Sequence, residues 1–378
     1  MRLPFLRLAL LFLAGCTPLK QGSDTAAQRD ATSCSHAVPP SPRAPDAAKA
    51  PDGSGQGTPL VFAVSSTEYG ILPTDAGSPG YQSIGFDLDN TCTGAGSCVE
   101  PSWATAIHHD GKNGIDNAYG LLLSTGNNPD SVESSATQTE LLLRVSNYSG
   151  EPDDNQVEVS LYLALGLTRT DGGTQPVWDG QDRWTVLPET LVPPTDGSAP
   201  SVDQPLFHAG QAYVTGGVLV ARFDKPLWWG GVQNRPRLLV TAYQLEIAGN
   251  LRRVDGANGM WELQDLVAGF RVSLRDAMTV LAWEPNTLTG AAAGDGGPAP
   301  VFCQDKATFE EVKKIDVCAY ADITLDPNAP RSSQCDALSV GLLFQAKQAL
   351  LGGVAGPAPP PPVPGCDPSV DLATETCP

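Results

Sequence analysis

The chain has 378 residues, and 42 Asp and Glu against 23 Lys and Arg give it a net charge of −19. A nucleic-acid-binding protein needs clustered Lys and Arg to neutralise phosphates, and the basic residues here are few and scattered. The composition therefore excludes nucleic acid as a partner and disfavours anionic lipid surfaces. Calcium, cationic partners and neutral sugars remain compatible with this charge, as does the simpler interpretation that the acidity only confers solubility.

The N-terminus has the pattern of an export signal. A basic start precedes an apolar run over residues 8–13, and the sequence Leu-Ala-Gly-Cys ends at Cys16. This ending resembles a bacterial lipobox, so we predict a signal peptide over residues 1–15 and lipidation of Cys16; an ordinary secretory signal with a chance cysteine is the alternative. The run is too short to span a bilayer, so acyl chains would provide the anchor. Because Thr17 rather than Asp follows, the resemblance implies the outer membrane.

Composition divides the mature chain into three parts. Residues 16–58 contain the lipidated cysteine and a segment of Ala, Pro, Ser, Asp and Gly, which cannot bury enough apolar surface to fold and is expected to be a disordered tether. Residues 59–355 contain the regular hydrophobic patterns of a folded domain. Residues 356–378 begin with a polyproline run and end in a tail that a disulfide is expected to close.

Short runs of alternating or continuous apolar residues predict an antiparallel β domain. The alternation is clearest at 156–167, where period two indicates one buried and one wetter face. The predicted strands are 60–64, 81–88, 119–124, 138–148, 156–167, 183–187, 212–223 with a bulge or bend at its glycine pair, 237–247 paired as a hairpin with 251–254, 261–272 and 337–350.

Two segments have helical patterns, at 273–282 and at 305–319, and the second has early Glu and late Lys residues that suit the helix dipole. About ten strands with Gly- and Pro-rich turns and one or two short helices predict a mainly β fold. We expect an antiparallel β-sandwich of jelly-roll type.

Nine cysteines are present. If Cys16 carries lipid, an even number remains in an oxidising compartment, which predicts disulfides. Only short separations favour particular pairs, and these pairs are Cys92 with Cys98, Cys303 with Cys318, and Cys366 with Cys377. Cys34 lies inside the tether, where it would either connect the tether to the domain or form an intermolecular bridge.

An acidic loop between two apolar runs, at residues 85–124, is the most distinctive internal stretch. Oxygen-rich side chains in glycine-rich turns are typical of calcium sites, although the spacing does not match an EF-hand. The alternative is a set of turns in which Asp and Asn bind their own backbone. The candidate ligands are Asp87, Asp89, Asp110, Asp116 and Asn117.

Trp228 and Trp229 are adjacent near a predicted loop and are candidates for stacking on a sugar ring, with burial over the core as the alternative. No serine-hydrolase elbow or zinc-protease motif is present, and no positioned carboxylate pair is evident. We therefore expect no catalysis. A carbohydrate-active enzyme on a β-sandwich scaffold is the alternative.

The lipobox, the acidic tether and the segments GFDLDNTC, DGKNGIDNAYG and CDALSVGLLF resemble a group of uncharacterised bacterial cell-envelope lipoproteins. The resemblance implies no known activity. It adds to the expectation of a lipid-anchored outer-membrane protein, facing either the periplasm or the cell surface. We expect a binding or envelope-structural role, with a glycan or an envelope protein as partner.

Overall fold

The computed structural model describes residues 35–43, 58–71, 79–92, 98–104, 110–126, 141–168, 173, 175–230, 238–254, 259–284, 286, 300–356 and 365–378. The chain divides into two units, Met1–Ser33 and Cys34–Pro378, and every described residue belongs to the second. The expected signal peptide and Cys16 lie outside the described residues. Within the described part, none of the helices combines the length and apolarity needed to cross a bilayer.

The protein is mainly β, as the sequence predicts. The strands of the described residues are β1 (Leu60–Glu68), β2 (Leu141–Ser146), β3 (Glu158–Thr168), β4 (Arg183–Val186), β5 (Phe207–His208), β6 (Gln211–Thr215), β7 (Val218–Phe223), β8 (Leu227–Gly230), β9 (Leu238–Thr241), β10 (Tyr243–Arg253), β11 (Trp261–Ser273) and β12 (Ala337–Val354). Ten of them join one sheet in the order β1-β2-β3-β4-β12-β11-β10-β7-β6, with β5 paired to β3, while β8 and β9 form a separate pair.

The long strand β12 organises the sheet. Its residues 337–347 pair with β11 on one side, residues 343–349 pair with β1 on the other, and from Leu350 onward it pairs with β4. Because β1 also pairs with β2, strands β1, β2, β3, β4 and β12 close into a ring of pairings. The predicted antiparallel pairing is confirmed except between β4 and β12, which are parallel. The jelly-roll sandwich stays a prediction.

Both faces of β3 are buried, which differs from the expected wetter face. Val159, Leu161 and Leu163 lie in the main core with β1, β2, β7, β10, β11 and β12. Tyr162 and Ala164 point the other way, and they belong to a second cluster that includes Trp184. The alternation predicted two faces correctly, but on the second face Glu158 is exposed, whereas the apolar cluster around Trp184 covers Tyr162 and Ala164.

The two predicted helices are present as α2 (Leu274–Trp283) and α3 (Lys306–Val312). Ser273 caps α2 by accepting a hydrogen bond from the Asp276 N–H, and Asp305 caps α3 in the same way. A third helix, α1 (Ala118–Gly126), occupies the predicted strand 119–124, so that prediction is wrong. The reason is local, because the Asn117 Oδ1 accepts from the Gly120 N–H at 2.9 Å and starts the helix.

Three other strand predictions need correction. Residues 81–88 form a 3-10 helix at Gly80–Ser83 and then irregular chain. Residues 212–223 are two strands, because the φ angles of Gly216 and Gly217, 57° and 83°, make a tight turn rather than a bulge. The expected hairpin at 248–250 does not exist, since β10 runs through it and pairs with β7 and β11 on its two sides.

The cysteines of the described residues pair across long separations. The disulfides are Cys98–Cys335, Cys303–Cys366 and Cys318–Cys377, with Cα–Cα distances between 4.8 and 5.6 Å. The predicted pairs Cys92–Cys98, Cys303–Cys318 and Cys366–Cys377 are therefore wrong, because proximity in the fold rather than in sequence decides pairing. Cys92 is also disulfide-bonded.

Part of the expected tether is ordered. Residues 35–43 lie against the domain, where the Ala37 N–H donates to Asn113 O at 2.8 Å and Ala37 O accepts from the Asp87 N–H at 2.8 Å. Further along, Pro40 O accepts from the Tyr213 hydroxyl at 2.7 Å. Backbone groups satisfy this segment without large apolar side chains, which explains why composition alone placed it in the tether. The remainder of the tether up to residue 57 lies outside the described residues.

Candidate cation-binding site

The acidic loop folds back on itself and brings distant carboxylates together. The Asp116 N–H donates to Phe86 O at 2.9 Å, which pairs the two ends of the loop, and the Gly111 N–H donates to Ile115 O at 2.8 Å. Gly114 permits this tight path, because its φ of 78° lies in the left-handed region that glycine adopts without strain. The turn carries Asp116 to the same place as Asp87 and Asp89.

Three carboxylates form the centre of the site. Asp87, Asp89 and Asp116 each offer an oxygen, and these oxygens lie within 4.8 Å of one another. We call these three residues the carboxylate cluster. Asp87 and Asp116 are buried, with 6% and 3% of their surface exposed, and Asp89 is half-buried. The structure thus unites three of the five ligand candidates of the sequence.

Main-chain N–H groups hold the carboxylate cluster in place. Asp116 Oδ2 accepts from the Leu88 N–H at 2.7 Å and from the Asp89 N–H at 3.3 Å. The Thr91 N–H donates to Asp87 Oδ1 at 3.1 Å and to Asp89 Oδ1 at 2.7 Å. These bonds are the turns expected of an Asp-rich loop, so the two sequence interpretations are compatible: the turns aim the carboxylates at one point.

A fourth carboxylate, Asp110, lies beside the carboxylate cluster. Its Oδ2 is buried and has no hydrogen-bond partner within the described part of the chain. Burial, together with the charges of Asp89, Asp322 and Asp87, raises the pKa of Asp110 to about 8. A carboxyl with an unsatisfied buried oxygen and like-charged neighbours is costly unless a proton or a cation joins it.

Asp116 and Asp87 show shifts in the same direction. Burial raises the pKa of Asp116 well above its usual range, and Asp89, Asp322 and Asp110 add to the effect. Burial also raises the pKa of Asp87, which the hydrogen bond from His36 opposes. Shifts in this direction mean that the folded chain by itself disfavours the charged forms. A bound cation would reverse this preference.

Two basic side chains flank the carboxylates. The His36 Nδ1 contacts Asp87 Oδ2, and Arg271, only 3% exposed, donates through Nη2 to Leu88 O and through Nη1 to Gln244 Oε1. Burial lowers the pKa of Arg271, and the charges of Asp116 and Asp89 oppose this. Four carboxylates, those of Asp87, Asp89, Asp110 and Asp116, thus lie near two basic side chains.

The fifth candidate, Asn117, does not join the carboxylates. Its Nδ2 donates to Ile84 O at 3.0 Å and to Gly341 O at 3.1 Å. Its Oδ1 accepts from the N–H groups of Gly120 and Gly341, both at 2.9 Å. All four bonds go to the backbone, so Asn117 starts α1 and ties it to β12 instead of offering a ligand atom.

Trp228 does not form an open sugar platform. Trp228 packs against the main core, with its ring 4.9 Å from that of Phe270 and 6.1 Å from that of Phe344. The structure does not describe the side chain of Trp229. For Trp228 the position agrees with the alternative that the sequence left open, in which the ring covers the end of the core.

Sequence reasoning missed His36, Arg271 and Asp322 as neighbours of the site. His36 gives no local signal, because it lies 51 residues from Asp87 in a segment without hydrophobic pattern. Asp322 is 9% exposed and binds the Ser339 N–H at 2.8 Å. Arg271 could have been found, since a charged residue inside the apolar run Phe-Arg-Val of a predicted strand needs a buried partner.

No protein-family model, curated protein or solved structure matches this chain. The resemblance to envelope lipoproteins therefore stays a prediction. The geometry of the described residues carries the functional argument.

Proposed function

We propose that this chain is a lipid-anchored, non-catalytic protein of the bacterial outer membrane, whose β domain binds calcium at Asp87, Asp89 and Asp116. One observation carries the proposal for the metal. Three carboxylates converge within 4.8 Å in a largely buried position, where their mutual repulsion needs a cation. Asp110, with its unpartnered oxygen beside them, supplies a further ligand or a partner for metal-bound water.

The donor atoms favour a hard cation. The carboxylate cluster offers only oxygens, which calcium and magnesium prefer. A second group of three, His36, Asp87 and Cys92, has closely spaced donor atoms, but Cys92 is disulfide-bonded and offers no thiolate for zinc. Calcium fits better than magnesium, because it accepts irregular geometry and several carboxylates, whereas magnesium keeps most of its water.

Calorimetric titration of the purified full chain with calcium tests this function. We expect heat of binding and a higher midpoint of thermal unfolding; a hundredfold excess over the dissociation constant stabilises by about 2.7 kcal/mol. The variant Asp89→Asn removes one charge from the carboxylate cluster and should weaken binding at least tenfold. Asp196→Asn is the matched control, because Asp196 also binds a main-chain N–H, that of Ser198 at 2.9 Å, in an exposed loop.

Two results would contradict the calcium site. One is the absence of both heat and stabilisation with calcium in the wild-type protein. The other is an equal effect of Asp89→Asn and Asp196→Asn, since that would place the bound ion elsewhere on an acidic surface. Magnesium and zinc titrations complete the comparison, and tighter binding of zinc would replace calcium as the proposed metal.

The anchor rests on Cys16 and the residues before it. Mass spectrometry of the protein from bacterial membranes should find diacylglycerol and an amide-linked acyl chain at Cys16, and Cys16→Ser should release the protein from the membrane fraction. An unmodified Cys16 thiol in the mature protein would reject the anchor without affecting the calcium site.

The alternative, a carbohydrate-active enzyme, has no specific observation in its favour. Catalysis on a sugar needs two carboxylates that reach the substrate. The Asp87 side chain is inaccessible to solvent, and Asp116 is 3% exposed. These closely spaced carboxylates suit an enclosed ion better than a substrate.

A further inference from the structure

A groove of about 470 Å³ lies next to the carboxylate cluster. Strands β6, β7 and β10 supply much of its lining, and Arg271 of β11, Asp87, Leu88 and Asn90 of the acidic loop and Val38 of the N-terminal segment contribute to it. Its volume lies in the range of sites that bind small molecules. Neither the anchor nor the cation accounts for this groove.

The charges of the groove are nearly matched. Its lining contains three acids, Asp87, Asp224 and Glu246, and two guanidinium groups, Arg222 and Arg271, and Arg222 already binds Glu246. A phosphate or polyanion site would show an excess of basic groups, and a site for a cationic peptide would show a larger excess of acids. The near match of charges favours a neutral ligand.

The polar groups are held in fixed positions by one another. Arg222 Nε donates to Glu246 Oε1, and its Nη1 donates to Gln211 Oε1 at 3.2 Å. Across the groove Arg271 Nη1 donates to Gln244 Oε1, and the Arg271 Nε is buried without a partner among the described residues. The array thus offers both donors and acceptors with little rotamer freedom to lose.

The backbone beneath this array is strained. Gln244 has a φ of 54°, a left-handed conformation that glutamine rarely adopts, at an irregularity in the pairing of β10 with β11. Such strain costs about 1–3 kcal/mol and persists where surrounding structure enforces it, commonly at ligand sites. Val38, 52% exposed, adds an apolar contact on the same groove.

We propose that this groove binds a neutral saccharide, whose hydroxyl groups bond to Gln211, Arg222, Asp224 and Gln244 and whose C–H face packs on Val38. Hydroxyl groups both donate and accept, so they match an array of paired carboxylates, amides and guanidinium groups. A charged ligand would break the existing pairs without replacing them. The inference goes beyond the cation site, because these side chains lie outside the carboxylate cluster.

The test titrates the purified full chain with neutral monosaccharides and disaccharides: glucose, galactose, mannose, N-acetylglucosamine, lactose and maltose. Calorimetry or saturation-transfer NMR at about 10 mM sugar detects dissociation constants near 1 mM. We expect at least one sugar to bind and Gln211→Ala to weaken it about tenfold, the effect of one lost hydrogen bond to a charged neighbour. Asp224→Ala should act similarly, while Asp179→Ala, at an exposed turn outside the groove, should leave the affinity unchanged.

Three outcomes would overturn the groove as a saccharide site. The first is that the folded wild-type protein binds none of these six sugars. The second is preferential binding of inorganic phosphate or of an acidic or basic dipeptide in the same assay. The third is sugar binding that Gln211→Ala and Asp224→Ala leave unchanged. The two proposals fail separately. If the protein binds calcium but no sugar, the groove proposal alone is rejected, and a sugar titration repeated in EDTA shows whether sugar binding depends on the cation.

Discussion

Asp116 and Asn117 are consecutive and equally buried, at 3% and 5% exposure, yet their surroundings are opposite. The Asn117 side chain makes four hydrogen bonds to the backbone and is fully satisfied. Asp116 accepts from two N–H groups but faces Asp89, Asp322 and Asp110, which raise its pKa together with burial. The Asn117 side chain stabilises the fold, whereas the charged form of Asp116 is disfavoured in the folded chain.

The difference separates buried polar groups that find all their hydrogen-bond partners within the chain from those that do not. A buried amide with all its partners inside the chain contributes to stability and needs nothing else. A buried carboxylate among carboxylates is unfavourable in the folded chain alone, which is why we propose a cation where several of them meet. Both kinds come from the same acidic loop, and composition alone does not distinguish them.

The largest expected effect comes from Asn117→Ala. This change leaves the carbonyl oxygens of Ile84 and Gly341 and the N–H groups of Gly120 and Gly341 without partners. We expect a loss of about 3–5 kcal/mol in the free energy of unfolding, because each buried unsatisfied group costs about 1–3 kcal/mol and some will relax toward water. Urea denaturation measures it.

Because Asn117 offers no ligand atom, we expect Asn117→Ala to lower the free energy of unfolding by the same amount in calcium and in EDTA. Asn155→Ala, at an exposed position, is the control and should change stability by less than about 0.5 kcal/mol. A loss for Asn117→Ala that appeared only in calcium would show that Asn117 belongs to the cation site after all.

Gly114→Ala should cause the next largest loss in the free energy of unfolding. A Cβ at Gly114 would lie 2.7 Å from Asp87 Oδ2 and 2.8 Å from Thr91 O, at a φ of 78°. We expect a loss of about 2–3 kcal/mol and weaker calcium binding, because Asp87 must move. Gly197→Ala is a matched control with a φ of 76° and open space around the Cβ, so it should show only the backbone cost, about 1 kcal/mol. Equal losses would mean that the contact with Asp87 is unimportant.

Asp116→Asn should have a smaller effect and the opposite sign. The amide keeps an acceptor for the Leu88 N–H and removes one charge from the carboxylate cluster. In EDTA we expect a gain of about 1–2 kcal/mol in stability, because a buried like charge disappears, and we expect the stabilisation by calcium to vanish. Unfolding of both proteins with and without calcium gives the four values. A loss of stability in EDTA would argue that the carboxylate cluster is already satisfied without a metal.

The sequence predicts strands correctly where the buried positions follow the local pattern of apolar residues. Strands 60–64, 156–167, 261–272 and 337–350 correspond to β1, β3, β11 and β12. The prediction failed at 119–124, where Leu-Leu-Leu fits either structure and a single side chain, Asn117, decides for helix. Apolar runs of this length do not separate helix from strand by periodicity.

The site was readable only in part. Its carboxylates lie in one loop, so their oxygen-rich composition pointed to a cation. His36 and Arg271 lie 51 and 184 positions from Asp87 in the sequence, and only folding brings them next to the carboxylate cluster. The disulfides show the same limit, because Cys98 bonds with Cys335 across 237 residues. Local pattern predicts what one segment can do but not which segments meet.

The pH dependence of stability is the last prediction. In EDTA, Asp110 and Asp116 have folded pKa values above that of an unfolded Asp, about 3.9, and the folded pKa of Asp110 is about 8. A raised folded pKa contributes stability below pH 4 that is lost as pH rises through the folded pKa. The protein in EDTA should therefore lose stability steadily between pH 4 and pH 8, by about 1–2 kcal/mol after screening by solvent.

Calcium should remove this loss, because the ion binds the ionised carboxylates and its affinity rises as their protons leave. Thermal unfolding at half-unit steps of pH, with and without calcium, measures both curves. Asp116→Asn should reduce the slope of the curve in EDTA to the part that Asp110 contributes, whereas Asn117→Ala should lower the curve without changing its slope. If the EDTA curve rose with pH over this window, Asp110 and Asp116 would be ionised and satisfied in the folded chain, and the contrast between Asp116 and Asn117 would disappear.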